Sequence, residues 1–238
     1  MIYDTLAAYY DALVKDPQAT EAWVKWIESF HPGPEFLELA CGTGEITRKL
    51  AENHQLTALD LAGHMVEEAR AKDPDGAIRY LVQDMRDLSN LPVYDAVGCF
   101  CDSFNYLLEE EEVRAFFKEV SRHLKEGGLF FFDTHSLDRI SEFEEDEAYV
   151  EAGSFEDGTD VQWEISSTSD GLIFQDFAFY LPDGTTASEH HIQRVYDPDW
   201  LAEALEQDFE ILDVTTDWES EGIQEGEKYF FVCRKKQL

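Results

Sequence analysis

The sequence predicts an α/β fold: a seven-stranded, mostly parallel sheet with helices on both faces, and a small antiparallel β insert after the fifth strand. Three observations predict it. Between Glu35 and Asp133 apolar strand-like runs alternate with helical spacing, the order of a parallel sheet covered on both faces. From Tyr149 to Tyr196 the period drops to two, and Asp157-Gly158, Asp170-Gly171 and Asp183-Gly184 separate the runs; Asp-Gly between alternating runs signals hairpins. After Asp197 the helix–strand alternation returns and adds two strands.

The elements follow in order. Leu6, Tyr9, Tyr10 and Leu13, then Trp23, Trp26, Ile27 and Phe30 keep helical spacing, and His31-Pro32-Gly33-Pro34 stops it. Strands are expected over Glu35–Ala40, Gln55–Asp60, Ile78–Gln83, Tyr94–Phe100 and Leu129–Phe132. Helices are expected over Glu45–Glu52, His64–Ala71 and Glu110–Leu124, with Gly127-Gly128 turning the chain into the fifth strand. An acidic helical piece, Leu137–Asp146, leads to four alternating segments: Tyr149–Phe155, Val161–Thr168, Leu172–Leu181 and Ser188–Tyr196. A helix over Pro198–Glu206 and strands over Phe209–Thr215 and Lys228–Arg234 finish the chain.

The 238 residues suit one large domain, or one domain carrying an inserted subdomain. They are 44% hydrophobic, with 17 Phe, 10 Tyr and 5 Trp, so the acidity is not a sign of disorder. Eighteen Lys and Arg stand against 52 Asp and Glu, a net charge of −34 that repels nucleic acid and anionic membranes. The N-terminus lacks a secretory pattern, and no stretch approaches the ~20 apolar residues of a membrane span. Cys41, Cys99, Cys101 and Cys233 lie in or beside apolar runs, as reduced core thiols do. Cys99-x-Cys101 has no second pair to make a metal site, so no metal is expected. The chain reads as cytoplasmic. Its oligomeric state is open, a dimer included.

A strand, then Cys41-Gly42-Thr43-Gly44-Glu45, then a helix puts a glycine loop at the carboxyl end of the first strand, where open parallel sheets bind ligands. Gly42 and Gly44 let the backbone approach a ligand, and free N–H groups at the helix start favour an anionic group. Asp60 ends the second strand, placed to accept both hydroxyls of a ribose. A dinucleotide loop would carry a third glycine where Thr47 stands, and Glu45 at the helix mouth would repel a pyrophosphate. A nicotinamide oxidoreductase therefore ranks last. A nucleoside bearing a small group without phosphate meets neither objection.

Glu38-Leu39-Ala40-Cys41-Gly42-Thr43-Gly44 resembles the first motif of the class I S-adenosylmethionine-dependent methyltransferases. Asp60-Leu61-Ala62-Gly63-His64-Met65 resembles the family's D-x-S-x-x-M, with Ala62 in place of Ser. Gln83-Asp84-Met85-Arg86 is similar to its G-D-M motif, Tyr94-Asp95-Ala96-Val97 to the start of its fourth strand, and Leu124-Lys125-Glu126-Gly127-Gly128-Leu129 to its L-K-P-G-G turn, with Glu126 replacing Pro. The resemblance covers Phe36–Asp133 in order. It implies a Rossmann-like core and S-adenosyl-L-methionine as cofactor. Gly42 and Gly44 would face its methionine part beside Ala40 and Cys101. Glu38 would orient the loop and the amino group, and Asp60 would hold the ribose. Leu61 and Met65 would line the adenine pocket, with Asp84 accepting from the adenine amine and Met85 against the ring. Tyr9-Tyr10-Asp11 resembles the family's Y-Y-D start, which closes over the cofactor; one of the two Tyr, assigned here as Tyr10, would touch it. On this reading residues 1–136 hold the N-terminal helices and cofactor-binding core, 137–196 an insert serving as substrate lid, and 197–238 the end of the core.

In-line methyl transfer from a sulfonium needs alignment and desolvation, and a base only if the acceptor must lose a proton. The acceptor site belongs beyond the fourth and fifth strand ends. Asp102, Asn105 and Tyr106 follow the fourth strand. His135 follows the fifth and, as a His, can act as a base. Asp102 and His135 are the catalytic candidates, and Asn105, Tyr106, His190 and Arg194 the substrate-binding candidates. On their strand His190, Ile192 and Arg194 share one face while His191 and Gln193 share the other, so only one of the two His can face the pocket, and the alternation does not decide which. Trp163, Phe174 and Tyr180 are candidates for an apolar lid. The expected function is an S-adenosylmethionine-dependent methyltransferase of a small molecule. An RNA or protein methyltransferase, or a non-catalytic cofactor-binding partner protein, is the alternative.

Overall fold

The computed structural model describes residues 6–144 and 149–237. The opening helical spacing resolves into two helices, α1 (Leu6–Val14) and α2 (Pro17–Ser29). Asp16 ends the first and caps the second: its carboxylate accepts from the N–H groups of Gln18 (2.7 Å) and Ala19 (3.1 Å), and Pro17 fills the first helical position. The core then runs β1 (Glu35–Leu39), α3 (Glu45–Leu50), β2 (Gln55–Asp60), α4 (Gly63–Ala71), β3 (Arg79–Val82), β4 (Tyr94–Cys99), a 3-10 turn (Ser103–Tyr106), α5 (Glu110–Arg122) and β5 (Leu124–His135). Next come α6 (Asp138–Phe143), β6 (Tyr149–Ser154), β7 (Asp160–Ser167), β8 (Leu172–Tyr180) and β9 (Thr186–Arg194). The chain closes with α7 (Pro198–Leu205), β10 (Phe209–Thr216), β11 (Ser220–Glu221) and β12 (Lys228–Lys235). The acidic helical piece is shorter than expected, and Glu145 and Asp146 lie outside the described residues.

The main sheet has the order β11-β10-β12-β5-β4-β1-β2-β3, so two-residue β11 makes it eight strands rather than seven. β1 to β5 pair in parallel, and β12 lies antiparallel between β5 and β10. β5 is longer than the expected Leu129–Phe132. Tyr94 pairs with Leu124 and Ala96 with Leu129, so the Gly127-Gly128 turn is a bulge within the ladder. Strand alternation divides the core. Phe130 and Phe132 pack with Phe104, Phe116 and Phe117 on one face, while Phe131 packs with Trp23, Phe36 and Phe230 on the other.

The antiparallel sheet has the order β6-β7-β8-β9. β9 starts two residues earlier than expected because the Asp183-Gly184 turn is tight enough to pair Tyr180 with Thr186. Its inner face carries Val161, Phe177 and Phe179, with Trp163 stacked on Phe177 at 5.1 Å. Phe174 and Tyr180 do not join this face: Phe174 stacks on the exposed His190, and Tyr180 is 47% exposed. Tyr9 of α1 stacks on Phe155 (4.5 Å) and Phe179 (5.5 Å) and donates to Asp157 (2.9 Å), which ties the N-terminal helix to the insert.

Lys228, the first residue of β12, joins three strand ends. Its ammonium pairs with Asp102, just beyond β4, and with Asp133 on β5 at 3.2 Å. Burial would favour neutral lysine, but the two carboxylates push its pKa up. Asp102 is held well below the usual carboxylate range: burial opposes this, and Lys228 and His135 outweigh it. Burial pushes Asp133 up to about 6; Lys228 opposes this and Asp102 adds to it. Replacing Lys228 with Met strands both carboxylates, so denaturant unfolding should show a loss of about 3–5 kcal/mol. The loss should be larger well above pH 6 than well below it, because a protonated Asp133 needs no cation. Equal losses at both pH values would mean that the packing of the lysine stem, not its charge, supports the strand ends.

Candidate active site

The glycine loop follows β1 directly. Ala40 leaves the strand with φ +52°, and Cys101 and Asp102 leave β4 with φ +56° and +53°. Three non-glycine residues in the left-handed region, at two adjacent strand ends, mark a backbone strained around a site. A cleft opens between them, where the ends of β1 and β4 meet α1 and α2. Tyr10, Glu38, Ala40, Gly42, Phe100 and Cys101 line it. Burial, and after it Cys101, Asp102, Tyr106 and Asp60, pushes the Tyr10 hydroxyl pKa well up, so it stays a donor.

The two glycines differ. A Cβ on Gly42 would meet only the Tyr10 ring, at 4.0 Å, so Gly42 leaves room for a ligand. A Cβ on Gly44 would come within 2.9 Å of the Tyr80 hydroxyl and 3.1 Å of the Ala69 methyl. Gly44 therefore permits close packing of the loop on α4 and β3 and, with Gly42, borders the cleft. Asp11 of α1 clamps the loop from above: its carboxylate accepts from the Thr43 hydroxyl at 2.5 Å and pairs with Lys72. Glu45 needs a correction too. Burial opposes its ionisation, yet Lys15, Arg48 and Lys72 hold its pKa down to about 2, and their charges surround it at 3.0, 2.5 and 3.3 Å. A carboxylate so neutralised is a weak barrier to a pyrophosphate.

Glu38 decides the ligand chemistry. It is buried beneath the loop, its Oε2 has no hydrogen-bond partner, and burial pushes its pKa up to about 8, with Asp60 adding to the rise and Thr47 opposing it. Oε2 keeps unused hydrogen-bonding capacity, and a cationic group arriving there would draw off the proton and pair with the carboxylate. Asp60 ends β2 with one oxygen accepting from the Gly42 N–H and the other from the Ala62 N–H, both at 2.8 Å. Each oxygen keeps a second lone pair with which to accept a further hydrogen bond. Beyond it Leu61, 65% exposed, and Val82, 56% exposed, form an uncovered apolar ledge at the ends of β2 and β3. A cation pocket, a diol acceptor and an apolar ledge in sequence fit an amino acid, a ribose and an adenine ring.

Comparisons with known proteins give the family. A family profile described as "Methyltransferase domain" matches residues 36–128. YqeM of Bacillus subtilis (strain 168), which carries a methyltransferase name, is 34% identical over 100% of this chain and 98% of its own length. This chain belongs to the class I S-adenosylmethionine-dependent methyltransferases. A crystal structure of an S-adenosylmethionine-dependent methyltransferase from Clostridium acetobutylicum ATCC 824 matches with a TM-score of 0.82 at 25% identity, covering 99% of both chains. The S-adenosylmethionine-bound amino pentose methyltransferase CalS10 from Micromonospora echinaspora shares the fold at 20% identity, TM-score 0.73, over 97% of this chain and 95% of its own. S-adenosylmethionine is the cofactor, and Glu38, Gly42, Asp60 and the Leu61 ledge are the residues here that fit it.

Several other candidate residues of the methyltransferase are placed differently from the sequence expectation. Met65 is buried in α4 at 2% exposure, and Met85 packs on the sheet core. Asp84 lies beyond β3, but both its oxygens accept from the Arg86 guanidinium, so an adenine amine would have to share them. Asp102 does not stand free: it accepts from Lys228 and from Gln193 at 3.0 Å, and its N–H donates to Asp133 at 2.9 Å. His135 is buried, kept neutral by that burial, and contacts Gln193 at 3.1 Å rather than lining the cleft. Both are positioning groups, which corrects their reading as catalytic. Asn105 is fully buried and donates to Thr134 (2.9 Å) and the Arg194 carbonyl (2.7 Å) while accepting from the His135 N–H (3.1 Å), so it binds no substrate. His190 faces outward, paired with Asp176 at 2.6 Å, and Arg194 donates to the Leu108 carbonyl at 3.1 Å. The inward face belongs to Glu189, His191 and Gln193. Tyr106 alone of the substrate candidates reaches that face, at 3.0 Å from His191 Nδ1.

The sequence reading gave no role to Lys72, Glu189 or Lys228, named Asp11 only within its motif, and left open whether His190 or His191, with Gln193, faces inward. Hairpin register alone carried a signal for the three on β9.

Two predictions test the cofactor site. In the free methyltransferase Glu38 keeps a proton that the unfolded chain would release. The stability this contributes is present below pH 4.5 and is lost as the pH rises through about 8. Glu38→Gln should raise the free protein's Tm above pH 8 by at least about 2–4 °C, while calorimetry shows S-adenosylmethionine binding weakened by about tenfold or more. A variant that gains stability and keeps full affinity would remove Glu38 from the cofactor site. Asp60→Ala frees the Gly42 and Ala62 N–H groups and removes the diol acceptor, so cofactor affinity should fall by at least about tenfold. Unchanged affinity in that titration would sink the placement of the ribose.

Proposed function

We propose that this methyltransferase acts on a small molecule in the cytoplasm. The carrying observation is how the antiparallel sheet meets the strand ends. Gln193 of β9 donates to the Asp102 carbonyl (3.1 Å) and carboxylate (3.0 Å), and Asn105 donates to the Arg194 carbonyl. Tyr9 holds α1 to the same sheet. A cover tied down on two sides suits an acceptor that fits inside better than a polymer that must lie across. The net charge of −34 argues in the same direction against RNA, and the sugar methyltransferase of shared fold acts on a small acceptor. Four free thiols support the cytoplasmic reading. Among the described residues no helix is long and apolar enough to cross a membrane.

The bound cofactor supplies a methyl group on a sulfonium, which transfers in line without covalent help from the protein. The chain's own residues align and dry the site. Glu38 would hold the cofactor's amino group and Asp60 its ribose, and the Asp11–Thr43 contact holds α1 over the glycine loop. Trp23 and Phe100, packed together at 4.9 Å, give the cleft an apolar wall. The Asp102–Lys228–Asp133 cluster fixes the turn that carries Tyr106 toward the acceptor.

The test is transfer of tritiated methyl from S-adenosylmethionine to a cell extract split into ultrafiltrate, RNA and protein. Label should collect in the ultrafiltrate. Label in RNA or protein that tracks enzyme concentration would overturn the small-molecule reading.

A further inference from the structure

The inner face of the antiparallel sheet buries a polar row. The Tyr106 hydroxyl, on the 3-10 turn, lies 3.0 Å from His191 Nδ1, and His191 Nε2 lies 3.5 Å from Glu189 Oε2. The His191 and Glu189 side chains are 1% and 5% exposed. Tyr106 is only partly buried. The turn that carries it begins with Ser103 and follows Cys101, both of which line the cofactor cleft. One end of the row is thus a deeply buried carboxyl, and the other is a hydroxyl beside the cofactor cleft.

The surroundings select the chemistry. Cross-strand register sets Glu189 opposite Phe177 and Phe177 opposite Trp163, so the carboxyl stands in one row with two stacked aromatic rings. The Phe177 ring meets His191 edge-on at 5.6 Å, and Gln175 stands opposite His191 on β8. The charged groups beyond are Asp102, Lys228 and His135, reached through Gln193. A carboxyl set among aromatic rings favours a cation over a neutral alcohol.

We propose that Tyr106, His191 and Glu189 form a proton relay that deprotonates the acceptor, and that the acceptor is an amine held as its ammonium against the inner face of the sheet. The proposal rests on the small-molecule methyltransferase reading. In the relay an acceptor N–H bond breaks and its proton passes to the Tyr106 oxygen, while the Tyr106 O–H proton passes to His191 Nδ1. The nitrogen keeps the electron pair, which then forms its bond to the transferred methyl. His191 becomes an imidazolium facing Glu189. Tyr106 is the catalytic residue, and His191 and Glu189 position and polarise it. The arrangement requires His191 to carry its proton on Nε2, toward Glu189, with Nδ1 accepting from Tyr106.

The test uses the full chain loaded with S-adenosylhomocysteine and labelled with ¹⁵N-histidine. The His191 ring should show an unprotonated Nδ1 and a protonated Nε2, and Tyr106→Phe should shift the Nδ1 resonance toward that of a free acceptor. A ring protonated on Nδ1 would overturn the relay, and this is read whatever the acceptor is. With tritiated S-adenosylmethionine, benzylamine should be labelled and benzyl alcohol should not. Tyr106→Phe should lower kcat for benzylamine by about 10²-fold, with KM within about twofold. Labelling of benzyl alcohol as readily as of the amine, or an unchanged kcat, would overturn the amine assignment. Loss of S-adenosylmethionine binding by the unaltered protein would instead strike the cofactor reading, and label in RNA or protein the small-molecule reading.

Discussion

A half-buried ammonium between a half-buried carboxylate, Asp102, and a fully buried one, Asp133, sets the geometry at the ends of β4 and β5. Lys228 opens β12 opposite His135, and Asp133, on which its ammonium also rests, lies two residues back along β5. Neither carboxylate could be buried there alone, since an unpaired buried charge costs several kcal/mol. The position of β12 therefore fixes where Asp102 can sit. Asp102 in turn holds the left-handed turn after β4, through its N–H to Asp133 and its carboxylate to Lys228 and Gln193. One ion cluster thus links the antiparallel last strand of the core, the turn carrying Tyr106 and the covering sheet. It also explains why Asp102 and His135, near the acceptor in sequence, do not act on it: the fold uses them to hold others in place.

The cofactor side is organised by the opposite device, a carboxyl left without a partner. The chain carries far more acids than bases, yet Lys15, Arg48 and Lys72 converge on Glu45 and Asp11 around the glycine loop. Those cations satisfy the outer acids. None is within ion-pair distance of Glu38, which lies deeper and stays protonated until a cation arrives. The contrast between Glu45, held near 2, and Glu38, held near 8, separates an acid paired by three cations from one without an ion pair, on the two sides of the glycine loop.

Most of the fold and half of the site were legible in the sequence. The parallel strands announced themselves by apolar runs ending in glycine or acid, and the hairpins by Asp-Gly. The long β5 was not legible, because a bulge at Gly127-Gly128 lets pairing continue through residues that read as a turn. Glu38, Gly42 and Asp60 were legible because strand ends in a parallel sheet converge on one crevice. The packing duty of Gly44 was not legible, because a glycine reads the same whether it makes room for a ligand or for a neighbouring helix, and only the Tyr80 and Ala69 contacts reveal the second.

The acceptor side shows how tertiary context assigns a face. Alternation along β9 separates His190 from His191 but does not say which points inward. Register does. The Asp183-Gly184 turn pairs Tyr180 with Thr186, and counting back sets Asp176 opposite His190 and Phe177 opposite Glu189. Directly opposed residues share a face. Phe177 and Phe179 must be buried, so Glu189 and His191 go inward with them, and Asp176 takes His190 to solvent. A buried glutamate beside a buried histidine is a costly choice for a covering sheet that only has to pack. Its inner face could have been apolar throughout, as it is where Val161 meets Phe179. The polar row persists at the edge that reaches the turn after β4, through the Tyr106–His191 and Gln193–Asp102 contacts.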